Sequence, residues 1–226
     1  MTFRDRLRSF ELRLQEQMPA FLCSVHLCLG QEETPEALHE GLRREDWLFS
    51  THRSHGHYLA KGGSERRLLD EILGLESGVN GGYSGSQSFC DPDLRFHSTA
   101  IVGGLIAAAV GAALSMKMRR ENAISVCCIG DGATEQGVFW EALNFASLHA
   151  LPILWVCENN GLSVHAPIAA RQCAPILGRV ASFRVKVLRG VDGLRTALRS
   201  RDLPAFGEVP CERRCSHVSA MEDLRE

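Results

Sequence analysis

The stretch Ile124–Pro167 constrains this chain more than any other: ISVCCIGDGATEQGVFWEALNFASLHALPILWVCENNGLSVHAP. An apolar run, Ile124 to Ile129, stops at Gly130-Asp131-Gly132, a tight turn carrying a carboxylate. Helical spacing follows, with Val138, Leu143, Ala146 and Leu148 recurring near the helical period and Glu135, Glu141 and Asn144 between them. A second apolar run, Ile153 to Cys157, ends in Glu158-Asn159-Asn160-Gly161. Strand, turn, helix, strand, turn predicts a parallel sheet with both turns emerging at one edge. That edge, beyond the carboxyl ends of the strands, is where open α/β sheets hold ligands.

The two turns carry a definite chemistry. Asp131 supplies a hard anionic oxygen and Asn160 a neutral one. Two protein oxygens are too few to cage calcium but suit magnesium, which keeps about six oxygen ligands and takes most of them from phosphate and water. Gly132 and Ala133 stand where the helical pattern begins, so their N–H groups and the helix dipole favour an anion. These residues point to a magnesium-bound diphosphate. A nicotinamide-binding turn does not fit, because Gly130, Gly132 and Gly137 do not form G-x-G-x-x-G.

Gly-Asp-Gly followed at this distance by Asn-Asn resembles the thiamine diphosphate signature. The fuller string GDGATEQGVFWEALNFASLHALPILWVCENN is similar to the alpha subunits of 2-oxo acid dehydrogenases of the pyruvate and acetoin type. The resemblance implies an α/β, three-layer thiamine diphosphate-binding fold with a mostly parallel central sheet. It implies a single domain over 1–226, with a helical arm over about 1–20. Metal ligands implied by it are Asp131, Asn160 and the backbone carbonyl of Leu162, at a position where the family usually has tyrosine.

Further segments extend the likeness. HLCLGQE, from His26 to Glu32, resembles the family's H-L-x-x-G-Q-E, whose histidine lines the cofactor pocket on the substrate side. Taken alone, a histidine in an apolar segment is more often a satisfied core residue. Thr51 to Tyr58 resembles Y-R-x-H-G, which implies that Arg53 grips the diphosphate, its planar fork suiting phosphate oxygens. His55 becomes a pocket residue near the reacting centre. His52 stands at the tyrosine position, so a phenol contact to phosphate is replaced or lost. Thr99–Gly103 is similar to G-I-V-G, in which the main chain of the Val102 position bonds the aminopyrimidine ring. Near the end, Arg213 and His217 match a loop at the active-site mouth. Val218 stands where the phosphorylated mammalian type has serine, which leaves phosphorylation there unsupported. His26, His55 and His217 are the catalytic candidates on this reading.

Elsewhere the pattern predicts a first helix from Phe3 to Met18 and a second opening at Thr34-Pro35-Glu36, with proline at an early position, and reaching about Leu42. A third runs from Ser64, as its N-cap, to Leu73. Gly74–Ser88 reads as loop, and FRVKVLRGVDGLRTALRSRDLPAFGEVP as strand, Asp-Gly turn, helix, strand. With 226 residues and a net charge of −2, the chain fits one domain and has no basic stripe for nucleic acid. MTFRDRLRSFELRLQ lacks the apolar core of a secretory signal. Ala100–Met118, broken by Gly103, Gly104, Gly111 and Lys117, suits close helix or subunit packing better than a membrane span. Nine cysteines without such a signal imply reduced thiols in the cytoplasm. Cys211, Cys215 and His217 lack the fourth ligand that closes a structural zinc site.

By resemblance, the chain is one half of a thiamine diphosphate and Mg2+ enzyme. It decarboxylates a pyruvate-like 2-oxo acid and passes the acyl or hydroxyalkyl unit to an acceptor. A beta-type chain, in an α2β2 heterotetramer, supplies the pyrimidine-binding domain and an activating glutamate. Family members continue well beyond the strand near Gly207, which puts docking to a lipoyl acyltransferase in question. That leaves open a carboligase or transketolase-like transfer to a ketone or aldehyde. A non-catalytic regulatory subunit is the reading from another class; Asp131, Asn160, Arg53 and His26 argue against it.

Overall fold

The structure is a computed structural model that describes residues 1–17, 21, 23–215 and 217. Helices α1 (Phe3–Gln17) and α2 (Glu33–Gly41) precede strand β1 (Trp47–Phe49), then α3 (His55–Ala60) and α4 (Glu65–Ile72). Short strands β2 (Cys90–Asp91) and β3 (Phe96–His97) lead to α5 (Ile106–Arg119), β4 (Ser125–Gly130), α6 (Gly137–Leu148) and β5 (Ile153–Asn159). A two-stranded ribbon, β6 (Leu162–Ser163) with β7 (Ala166–Pro167), is followed by α7 (Ile176–Val180), β8 (Lys186–Arg189), α8 (Gly190–Ser200) and β9 (Ala205–Pro210).

The main sheet runs β2-β3-β1-β4-β5-β9-β8, and every pairing is parallel except that of β2 with β3. Strand alternation builds the layers on either side. Val126 and Cys128 of β4, with Leu154 and Val156 of β5, face one core containing Leu7, Phe10, Leu38, Leu68, Leu194 and Leu198. Cys127, Ile129, Ile153 and Trp155 face the other, with Ile106, Ala113, Phe139, Leu143 and Val180. Both faces being covered explains why these strands read as unbroken apolar runs. Phe139, Trp155 and Phe206 are wholly buried, each worth roughly 1.5–3 kcal/mol on removal from water. The expected three-layer, mostly parallel α/β architecture is what the chain adopts.

Several boundaries move. The first helix ends at Gln17, and Met18 lies outside the described residues. The small-residue helix begins at Ile106 because residues 101–104 close a turn, with the Gly104 N–H donating to the Ile101 carbonyl and Gly103 at φ +77°. After Gly130 the chain makes a 3-10 turn over Asp131–Glu135, and α6 starts only at Gly137. The Asp192-Gly193 pair lies in the first turn of α8 rather than forming a turn of its own. Ser64 does cap α4, accepting from the Arg67 N–H.

The Gly74–Ser88 segment has no helix or strand, as expected, yet it is firmly held. The buried Glu71 carboxylate accepts from the backbone N–H groups of Asn80 (2.6 Å), Gly82 (3.0 Å) and Ser84 (2.7 Å). Satisfying three backbone donors from one carboxylate organises a loop that cannot organise itself by ladder hydrogen bonds. Among the described residues, no helix is long and apolar enough to cross a membrane.

Candidate active site

Parallel pairing places the turns. Gly130 of β4 is in register with Glu158 of β5, so Asp131 and Asn160 leave the sheet at the same edge. β1 runs parallel to β4, with Phe49 opposite Cys127, and delivers Ser50 to Arg53 to that edge as well. A cavity of about 200 Å³ opens there. Its wall includes His26, His52, Arg53, Val102, Gly130, Asp131, Gly132, Ala133, Asn160, Leu162, Arg213 and His217. Residues scattered from position 26 to position 217 are thus brought to one site.

His55 is the exception: it does not line the cavity. It is fully buried behind the cavity wall, and both ring nitrogens are engaged. Nδ1 meets Glu11 Oε1 of α1 at 2.7 Å and Nε2 meets Ser86 Oγ at 2.8 Å. The second oxygen of Glu11 accepts the Cys28 N–H at 2.5 Å. The chain Glu11–His55–Ser86 ties α1 to the loop before β2 and to the segment carrying His26.

One end of the cavity is charged. Asp131 is 1% exposed, and burial pushes its carboxyl pKa up, against the opposing pull of the Arg171 guanidinium at 2.5 Å. Arg171 also pairs with Glu135, so a cation is already bound where a divalent ion would neutralise Asp131. Asn159 and Asn160 each brace the turn they stand in: Asn159 Oδ1 accepts from Gly161 N–H and Asn160 Oδ1 from Leu162 N–H, both at 3.0 Å. An amide oxygen has a second lone pair, so Asn160 retains acceptor capacity. Gly132 lies close to the ribbon, since a Cβ there would stand 2.9 Å from Ser163 Oγ and push that hydroxyl aside. Because α6 starts at Gly137, its dipole stands one turn from Gly132 and Ala133. What these residues offer an anion is the N–H groups of a tight turn.

Arg53 completes that end. It is 6% exposed and donates to the Leu27 carbonyl (2.5 Å), the His217 carbonyl (3.0 Å) and Cys215 Sγ (3.7 Å). No carboxylate pairs with it among the described residues, and burial pulls its pKa down. A guanidinium held away from water without a counter-charge favours an anion beside it. The set of one carboxylate, one amide oxygen, a neighbouring backbone and a buried cation fits a diphosphate carrying a hard divalent ion.

The other end is made of histidine rings. Ligating nitrogens of His26, His52 and His217 lie within 4.8 Å of one another. His26 packs edge-on against His52 (4.7 Å between centroids) and His217 (5.1 Å). Burial, then the neighbouring cationic groups, pushes both His26 and His52 down to about 3, so both are uncharged at neutral pH. His217 Nδ1 faces Arg53 at 3.4 Å and Arg213 at 3.5 Å. His217 therefore groups with two histidines and two guanidiniums. The segment bearing it is pinned over the HLCLGQE turn by Arg214 N–H on the Leu29 carbonyl (3.0 Å) and Glu212 N–H on the Gly30 carbonyl (3.4 Å). Gly30 has φ +87°, and a Cβ there would lie 2.1 Å from the Glu212 carbonyl oxygen, so only glycine permits this approach. Val218 lies outside the described residues.

Three contributors carry no readable sequence signal. Gln87 reaches His26 from the glycine-rich loop, Arg171 reaches Asp131 from beyond β7, and Glu11 reaches His55 from α1. Each depends on contacts across loops or distant helices.

Comparison with known proteins identifies the family. The profile of the dehydrogenase E1 component family matches residues 1–193. The acetoin:2,6-dichlorophenolindophenol oxidoreductase alpha subunit of Bacillus subtilis is 37% identical over 185 residues, 81% of this chain and 54% of its own length. Its counterpart from Cupriavidus necator is 36% identical over 161 residues, 69% of this chain and 47% of its own. The pyruvate dehydrogenase E1 component subunit alpha-1 of Oryza sativa is 36% identical over 136 residues, 60% and 35% respectively. The chain thus spans about half, or less, of the length of these curated relatives. With the profile covering most of its length, the chain belongs to the dehydrogenase E1 component family.

Proposed function

We propose that this chain binds thiamine diphosphate with Mg2+ and acts as the alpha-type subunit of an enzyme that decarboxylates a pyruvate-like 2-oxo acid, passing the acyl or hydroxyalkyl unit to an acceptor. The single observation carrying this reading is the charged end of the cavity, where Asp131 and Asn160 face a buried Arg53 that has no carboxylate partner among the described residues. When bound, the cofactor supplies the nucleophilic carbon and the electron sink. The chain supplies position and polarity. Asp131, Asn160 and the Leu162 carbonyl hold the metal, and Arg53 and the N–H groups of Gly132 and Ala133 take the diphosphate. The Val102 main chain takes the pyrimidine ring. His26, His52 and His217 line the substrate side as hydrogen-bonding groups beside Arg213, the first two uncharged at neutral pH.

A beta-type partner in an α2β2 assembly supplies the remaining wall. The exposed Ile101 and Val102 beside the cavity and the exposed small residues Ala107, Ala108 and Gly111 of α5 support a packed neighbour there. All nine cysteines are unpaired, which suits a reducing compartment such as the cytoplasm. The test is turnover: the chain purified with a beta-type subunit, thiamine diphosphate and Mg2+ is given 2-oxo acids, with 2,6-dichlorophenolindophenol as electron acceptor. Carbon dioxide release with dye reduction by the pair, and none by the chain alone, is the expected result. Full activity of the isolated chain would refute the partner, and an inactive pair would refute the reaction.

A further inference from the structure

Gln87 lies in the glycine-rich loop and lines the cavity beside His26. Its Nε2 makes two contacts, with the Ser24 carbonyl at 3.1 Å and with His26 Nδ1 at 2.8 Å. A carbonyl oxygen can only accept, so the amide group facing Ser24 must be the NH2 and not the oxygen. The same NH2 therefore donates to His26 Nδ1, which must present its lone pair. In an uncharged imidazole the proton is then on Nε2, the nitrogen that has no protein partner among the described residues.

We propose that Gln87 is a positioning residue that locks His26 as the Nε2–H tautomer, so that His26 meets the cavity as a hydrogen-bond donor. That Nε2–H serves an oxygen of the substrate, such as a ketone or carboxylate oxygen, rather than removing a proton or ligating a metal. The part concerning substrate rests on the function proposed above; the tautomer does not. The surroundings agree with this assignment. The groups facing His26 are His52, Arg53, His217 and, more distantly, His55, and the cationic members among them disfavour a second proton on the ring. Gln87 is in turn set by its neighbour, because Ser86 Oγ meets His55 Nε2 and His55 is braced by the buried Glu11. The run Glu11–His55–Ser86–Gln87–His26 thus carries the rigidity of α1 to one ring nitrogen. The three-histidine cluster loses its metal-binding character on the same grounds, since the His26 Nε2 lone pair is replaced by a proton.

The test uses the full chain with 15N-labelled histidine, assembled with its partner subunit and read by solid-state NMR, with His26→Gln identifying the His26 signals. The expected result is an unprotonated Nδ1 and a protonated Nε2 in the wild type. Gln87→Glu, which sets an acceptor against Nδ1, moves the proton to Nδ1, and Gln87→Leu gives a mixture of tautomers. A wild-type ring protonated at Nδ1, or a tautomer unmoved by both variants, would overturn the proposal. Cobalt(II) provides an independent arm: no three-nitrogen visible spectrum is expected, and one abolished by His26→Gln would contradict the assignment. In the assembled enzyme, Gln87→Glu is expected to lower kcat by about 10- to 100-fold, the scale on which an orienting partner acts, with a smaller change in KM. An inactive wild-type assembly with the tautomer intact would sink the proposed reaction and leave the Gln87 assignment standing.

Discussion

The two ends of the cavity are built from opposite materials. At the Asp131 end, regular strands deliver charged groups whose positions follow from register, and Arg171 and Arg53 face them as full cations. At the His26 end, three irregular segments deliver histidine rings, two of them uncharged at neutral pH, held by contacts that cross most of the chain. A carboxylate and cations suit a tight, ionic grip; histidine rings suit a substrate that exchanges hydrogen bonds as it reacts. Binding and reactivity are therefore separable by mutation.

The largest effect is expected from Asp131→Ala, which removes the one carboxylate at the proposed metal site. Thiamine diphosphate affinity in Mg2+ should fall by at least about 100-fold by calorimetry, the scale of losing a metal contact. Arg53→Lys follows, because a point charge cannot reproduce a fork held by two carbonyls. About 10- to 150-fold weaker diphosphate binding is expected, with unmodified thiamine nearly unaffected, corresponding to roughly 1.5–3 kcal/mol for a charged hydrogen bond. Equal losses for both ligands would place the diphosphate elsewhere.

Arg171→Gln probes the cation now held by Asp131. Removing it should lower the melting temperature without cofactor, by about 1–3 kcal/mol of lost charged hydrogen bonding, and leave the metal- and cofactor-loaded melting temperature nearly unchanged. A fall of the same size in both states would mean that Arg171 keeps Asp131 when the metal is present.

The buried His26 and His52 should show themselves as acid lability. His26 and His52 titrate near 3 in the folded chain against 6.5 ordinarily, so between those values the unfolded chain binds more protons. Their contribution to stability is complete above about pH 6.5 and is lost as the pH falls toward 3. His52→Phe should retain more of its melting temperature at pH 5, relative to pH 7, than the wild type does. The smallest effect is Ser64→Ala, costing about 1 kcal/mol through the lost cap of α4, far from either end.

What could be read in advance divides along the same line. The β4 and β5 edge was legible because apolar runs, a Gly-Asp-Gly turn and an Asn-Asn-Gly turn are local signals. Even there the helix starts later than the pattern predicts: Thr134 Oγ1 donates to the Asp131 carbonyl at 2.7 Å and tightens the turn to 3-10 geometry, delaying α6 to Gly137. The start of α5 shifted for a similar reason, Gly103 taking a left-handed turn. His26 and His55 carried equal weight as motif histidines, yet a buried carboxylate on α1 claims one and leaves the other to the cavity. Nothing local to His55 announces Glu11, and nothing local to Asp131 announces Arg171.

The most direct test is anomalous scattering from crystals of the assembled enzyme grown with thiamine diphosphate and Mn2+. The account predicts one manganese peak within bonding distance of Asp131, Asn160 and the Leu162 carbonyl, with the diphosphate against Arg53. A peak among His26, His52 and His217, or a diphosphate that leaves Asp131 paired only with Arg171, would contradict it.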